Sequence, residues 1–219
     1  MDFFNNKKRV VQRAIVSAVA SSLIAFNSFA STSEDYEKAL TAFNQNEYDE
    51  AYIHLKNSLQ KDPENLAAKI LMGEILLING YLTAAEMEFV EALEMGADIN
   101  LLAEPLGNTW LFLNRYQEIV DFSDLNKLSG DAEREWLMIR ATACIRLQDE
   151  SCALRDYNTI VSRTPNFVPA INGLASIALQ NENLSKATSL INKAMSLEPE
   201  NAITWRLKGQ LAYRQGDTD

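Results

Sequence analysis

Small or apolar residues recur along this chain at a fixed interval. Ala51, Ala85, Ile119, Ala153 and Ala187 are each 34 residues apart, and Ala39, Gly73, Gly107, Ala141, Ala175 and Gly209 repeat the same step in a second phase. Between the markers the apolar positions follow helical spacing, as in Ile70, Met72, Ile75 and Leu76, then Ala84, Ala85, Phe89, Ala92 and Leu93. A small residue kept on each of two successive helices lets the pair approach closely. Each unit is therefore predicted to be helix, turn, helix.

The breaks agree with this phase. Asp62-Pro63, Thr164-Pro165 and Glu198-Pro199 fall at unit ends, where proline stops a helix, and Gly130-Asp131 stands at the third boundary. Inside the units, Asn79-Gly80 and Gln215-Gly216 supply the hairpin turn, and Asn44 to Asn46 and Asn181 to Asn183 do so with polar residues. The chain divides into five complete units and a partial sixth, near residues 32–65, 66–99, 100–133, 134–167, 168–201 and 202–219. The third is degenerate, with Asp121 to Asp131 reading as a shortened second helix and a loop. A lone hairpin cannot bury its apolar face, so stacked units are expected to share a continuous core.

The units resemble the tetratricopeptide repeat. The second supplies Met72-Gly73, Leu76, Ala85, Phe89 and Ala92, the fourth Ala141, Ala153, Tyr157, Ile160 and Pro165, and the fifth Leu174-Ala175, Ala187, Ile191, Ala194 and Pro199. The resemblance implies an all-α solenoid of antiparallel hairpins wound as a right-handed superhelix, with a protein or peptide held in the concave wall made by the first helices. Residues 36–120 resemble more narrowly the tetratricopeptide lipoprotein of the PEP-CTERM and exosortase sorting system, through segments such as Leu55-Lys56-Asn57-Ser58-Leu59-Gln60 and Glu94-Met95-Gly96-Ala97-Asp98. That likeness implies a context beside exopolysaccharide synthesis rather than an activity.

Residues 1–30 read as an export signal. Lys7, Lys8, Arg9 and Arg13 precede the apolar run Ala14 to Phe26, and Ser28 and Ala30 sit at −3 and −1 of a cut after Ala30. The run would span about 20 Å against a hydrocarbon core of about 30 Å, so no stable membrane span is expected after cleavage. No Cys lies beside the cut, so a lipid anchor there is not encoded, and an exported, periplasmic or envelope-associated chain is expected.

Charge and composition narrow the function further. The chain has 20 Lys+Arg against 30 Asp+Glu, a net charge of −10, and loss of the four signal cations with Asp2 would bring it to −13. A nucleic-acid backbone would meet a repulsive field. With 8 Gly, 2 Cys and 1 His there is little material for a phosphate loop, a metal cage or a histidine-based catalytic centre, so neither enzyme activity nor a cofactor is expected.

Groove-facing places project to Tyr36, Leu40 and Phe43 in the first unit, Ile70, Glu74 and Leu77 in the second, and Glu104, Asn108 and Leu111 in the third. The fourth offers Met138, Thr142 and Ile145, the fifth Asn172, Ser176 and Leu179, and the sixth Arg206, Gln210 and Tyr213. The same Leu and Ile positions border the buried row and have core as their alternative. The Lys and Asn pattern with which cochaperone repeats grip a C-terminal carboxylate is missing, because Glu104 stands where a cation is needed. Cys144 and Cys152, eight apart, read as unbridged, with Cys152 near the exposed start of its helix. His54 and the run Glu86, Glu88, Glu91 and Glu94 read as solvated faces. The expected function is an exported scaffold for protein partners. The alternative is the regulatory or truncated part of a longer array or enzyme, since the last helix keeps Trp205 and Gly209 of a full unit.

Overall fold

The computed structural model describes residues 34–216, so the export-signal reading of residues 1–30 lies outside the described residues. They form an all-α solenoid of helical hairpins. The first hairpin pairs α1 (Glu34–Asn44) with α2 (Tyr48–Lys61), and the second α3 (Leu66–Ile78) with α4 (Leu82–Glu94). The third pairs α5 (Ile99–Phe112) with the five-residue α6 (Tyr116–Val120), followed by a 3-10 turn (Ser123–Lys127). Then come α7 (Gly130–Arg146) with α8 (Glu150–Arg163), α9 (Val168–Gln180) with α10 (Leu184–Leu197), and α11 (Ala202–Gln215). No helix among the described residues is long and apolar enough to cross a membrane.

Two compact units result. Among the described residues, one comprises residues 34–118 together with Phe122–Glu133, and the other Ile119–Asp121 with residues 134–216. In the first, Ala39, Ala51, Leu55, Ile75, Ala85, Phe89, Leu102 and Leu106 are fully buried; in the second, Ala141, Ala153, Ala175, Ala187, Ile191 and Leu207 are. The short α6 has a local cause. Phe122 turns back to meet the Trp110 ring of α5 edge-on, with centroids 6.1 Å apart, so the chain folds over α5 instead of extending a second helix.

The 34-residue period also governs the backbone. The left-handed residues that close the hairpin turns are Asn46, Gly80, Asn114, Gln148, Glu182 and Gly216, with φ between 56° and 82°. In each of the first five turns the next residue donates its N–H to a carbonyl five residues back: Glu47 to Ala42, Tyr81 to Leu76, Arg115 to Trp110, Asp149 to Cys144 and Asn183 to Ala178, at 2.8–2.9 Å. This closure satisfies carbonyls that the helix end would otherwise leave open. Gln148 and Glu182 hold the left-handed conformation despite a Cβ, at a cost of about 1 kcal/mol each. Packing of the two helices they join offsets it.

Gly73 shows what the small-residue phase achieves. A Cβ there would lie 2.5 Å from the Phe89 ring of α4, which is fully buried and has nowhere to go. Gly209 occupies the same place in α11, and a Cβ there meets nothing within 4 Å. Gly73→Ala is therefore expected to destabilise the protein by about 1–3 kcal/mol through overpacking, although alanine is the better helix former. Gly209→Ala should be neutral or stabilising. Urea unfolding of the two variants checks the contrast, and equal behaviour would refute it.

Candidate functional site

In the first unit, the residues projected from the first helices fall into two sets. Tyr36 and Leu40 on α1, Ile70 on α3, and Glu104, Asn108 and Leu111 on α5 are partly exposed. Phe43, Glu74 and Leu77 are buried. Each sits where its helix turns toward its neighbours, and Phe43 packs edge-on against Tyr48 at 5.6 Å. A partner could reach the first set and not the second.

Glu74 is the unusual member. It is only 5% exposed, on a helix otherwise lined by Leu71, Met72, Ile75 and Leu76. Burial pushes its carboxyl up to about 8, and the Glu104 carboxylate from α5 adds to the rise. Tyr36 on α1 is also raised, first by burial and then by Glu37 and Glu74. Glu74 therefore keeps its proton at neutral pH.

The expected solvated face on α4 is corrected by the structure. Glu86 is buried; its Oε1 accepts from Trp110 Nε1 at 2.8 Å and lies 2.9 Å from Arg115 Nη1, tying α4 to the third hairpin. Buried Lys69 on α3 reaches Glu91 at 3.0 Å and Glu88 at 3.9 Å. Burial raises the Glu88 carboxyl, and Lys69 partly opposes that. Only Glu94 stays a simple surface charge. His54 is half-buried rather than solvated, with Nε2 3.6 Å from Glu50. Trp110 and Arg115 come from the next hairpin and Lys69 from the other helix of the same one, partners that helical spacing on α4 alone does not reveal.

In the second unit, Met138 and Thr142 on α7 are partly exposed, and Thr142 Oγ1 donates to the Met138 carbonyl at 2.9 Å. Asn172 on α9, expected in the groove, is buried. It exchanges hydrogen bonds with Thr204 at 3.0 and 3.1 Å and reaches Asn201 at 3.4 Å, so it fastens the cap of α11 to α9. Beside it an open cleft of about 800 Å³ separates α9 from α11. Five of its lining residues, Ser176, Leu179, Arg206, Gln210 and Tyr213, are projected groove positions; Arg214 joins them.

The cysteine expectation is overturned. Cys144 and Cys152 form a disulfide, with Cα atoms 5.8 Å apart, and both are buried. The reason is the tight turn at Gln148, after which Asp149 caps α8 by accepting from Cys152 N–H at 3.0 Å. That places Cys152 on the inner face of α8, one residue before the buried Ala153. Asp156, one turn on, is fully buried and receives Arg140 Nε at 2.7 Å and Nη2 at 2.6 Å. Cys144, Cys152 and Asp156 bring their donor atoms within 4.8 Å, the spacing of a metal site. The sulfurs are bonded to each other and both carboxylate oxygens to Arg140, so these residues do not fit a metal.

Comparison with known proteins gives a consistent family assignment. A family model described as tetratricopeptide repeat matches residues 36–99 and 172–219. A DnaJ homolog subfamily C member 7 homolog from Dictyostelium discoideum is 26% identical over 171 residues, which is 76% of this chain. The chain spans only 28% of the length of that curated relative. Among solved structures, a tetratricopeptide repeat protein from Parabacteroides merdae superposes with a TM-score of 0.72 at 22% identity, covering 84% of this chain and 73% of that one. PilW, a type IV pilus biogenesis factor, gives 0.71 at 18% identity over 87% and 89% of the two chains. YrrB, described as having an unusual peptide-binding site, gives 0.64 at 17% over 90% and 98%. At these identities the structures support the fold alone.

Proposed function

Because the chain belongs to the tetratricopeptide repeat family, we propose that it is an exported, non-catalytic scaffold that holds a protein or peptide along the exposed side chains of its first helices. The observation carrying this reading is that successive first helices leave part-exposed groups in register: Tyr36, Leu40, Ile70, Glu104, Asn108 and Leu111 in the first unit, Met138, Thr142 and the α9–α11 cleft in the second. Such alternation of apolar and polar contacts suits an extended peptide or a partner helix.

Two features support export. Residues 1–30 have the charge and apolar pattern of a signal segment. The buried Cys144–Cys152 bond belongs with an oxidising compartment. The resemblance of residues 36–120 to the exosortase-system lipoprotein supports a role for the scaffold beside surface-protein sorting or exopolysaccharide synthesis.

The test is photocrosslinking in cells, with a benzophenone amino acid placed in the full chain at Ile70 or Met138 and, as controls, at Lys56 or Ser196 on second helices. Crosslinks to protein are expected from the first pair. Crosslinks confined to the second pair would sink the groove reading. Free Cys144 and Cys152 thiols throughout the recovered protein would sink export.

A further inference from the structure

We propose that the cleft between α9 and α11 binds an acidic segment of the partner, with Arg206 and Arg214 receiving its carboxylates. The inference rests on the groove reading and adds the chemistry of the ligand. Arg206, Gln210, Tyr213 and Arg214 follow one another at helical spacing on α11 and form one stripe, facing Ser176 and Leu179 of α9. Among the described residues no Asp or Glu lines the cleft, although the chain carries 30 acidic residues against 20 basic ones. Among the described residues neither arginine makes an ion pair. The third nearby cation, Lys208, is engaged elsewhere, lying 4.8 Å over the Trp205 ring.

The remaining wall fits a peptide rather than a free ion. Gln210 and Ser176 can both donate to and accept from a peptide backbone. Leu179 forms a buried apolar floor, and Tyr213, 77% exposed, supplies an aromatic face that nothing in the described chain covers. Guanidinium groups match carboxylates with two parallel hydrogen bonds, so a segment with Asp or Glu flanking an apolar residue has a complementary partner at each point. A nucleic acid would bring phosphates to the same arginines, but over a longer reach it would meet the acidic chain.

Gly209 makes the site testable without touching the core. A side chain there meets only open space at its Cβ, so Gly209→Leu obstructs the cleft from its own wall. Peptides would be selected from a random twelve-residue display library on the immobilised full chain. Their affinities would then be measured by fluorescence anisotropy on wild type, on Arg206→Glu with Arg214→Glu, and on Gly209→Leu, with thermal melts confirming folding. Acidic sequences are expected, their binding weakened by salt and reduced about tenfold or more in either variant and by Asp→Asn or Glu→Gln changes in the peptide. Selected peptides without acids, or acidic peptides indifferent to both variants, would overturn the proposal while leaving the groove reading intact if Ile70→Ser removes their binding. A library yielding no binder would overturn both. Single-stranded oligonucleotide binding that outcompetes every acidic peptide would also refute it.

Discussion

Arg140→Met is expected to lower the stability of the protein by about 3–5 kcal/mol. The guanidinium of α7 meets both oxygens of Asp156 on α8 at 2.6–2.7 Å, and Asp156 is fully buried. Removing the cation leaves a carboxylate inside the hairpin with neither water nor counter-charge, and desolvation of that charge dominates the loss. The pair itself contributes much less, because its own desolvation offsets most of its attraction. Arg140→Met with Asp156→Leu is accordingly expected to recover most of the loss. Urea unfolding of the three proteins decides it. A double variant as unstable as the single one would show that packing, not the stranded charge, accounts for the effect.

Glu74→Gln is expected to raise the stability of the protein progressively as pH rises above about 4.5 and to leave it unchanged below that. Folded, the Glu74 carboxyl holds its proton up to about 8; in the unfolded chain it releases it near 4.5. Between those values the native state binds the extra proton, so the stability that Glu74 contributes is whole below about 4.5 and declines as pH rises toward about 8. With each tenfold in the equilibrium worth about 1.4 kcal/mol, the full decline between 4.5 and about 8 is on the order of 5 kcal/mol. The groups that face Glu74 are Glu104 from α5 and Tyr36 from α1. Glutamine keeps the shape without the charge, so the melting temperatures of variant and wild type should converge near pH 4.5 and separate by pH 8.5. A constant difference across that range would refute the assignment. Glu104→Gln should move the same curve less, since burial outweighs Glu104 as the cause.

The repeat was legible because its period is carried by single residues with a local steric role. Ala51, Ala85, Ile119, Ala153 and Ala187 are all fully buried, as 34-residue spacing implies. The third unit has the shortened second helix and loop expected of it, but the helix is Tyr116–Val120, ahead of the Asp121 to Asp131 stretch, which holds the 3-10 turn Ser123–Lys127 and the start of α7. Hairpin turns were legible at Asn46, Gly80 and Asn181 to Asn183, and hidden at Gln148, whose residue type does not favour a left-handed backbone. The period itself was the missed signal, since Gln148 stands two 34-residue steps after Gly80.

The site was less legible for a geometric reason. Helical spacing assigns a residue to a face of its own helix but does not say what stands opposite. Phe43, Glu74, Leu77 and Asn172 share their faces with exposed neighbours yet are covered by other helices. Cys152 looked exposed at a helix start until the turn at Gln148 set the rotation of α8. Gly173 carries no mark of the period, and only the packed structure shows a Cβ there 2.5 Å from the Tyr157 ring.

By itself, then, the sequence determined the helical hairpin, its 34-residue step, the small residues where helices meet and the net acidity, because each is written in residue types at short range. Only the tertiary structure decided which of those residues a partner can reach, which carboxylates are buried or paired, that Cys144 meets Cys152, and that Arg206 and Arg214 line an open cleft where no described residue is acidic. Those outcomes depend on distances between helices, and these emerge when side chains from different hairpins compete for the same space.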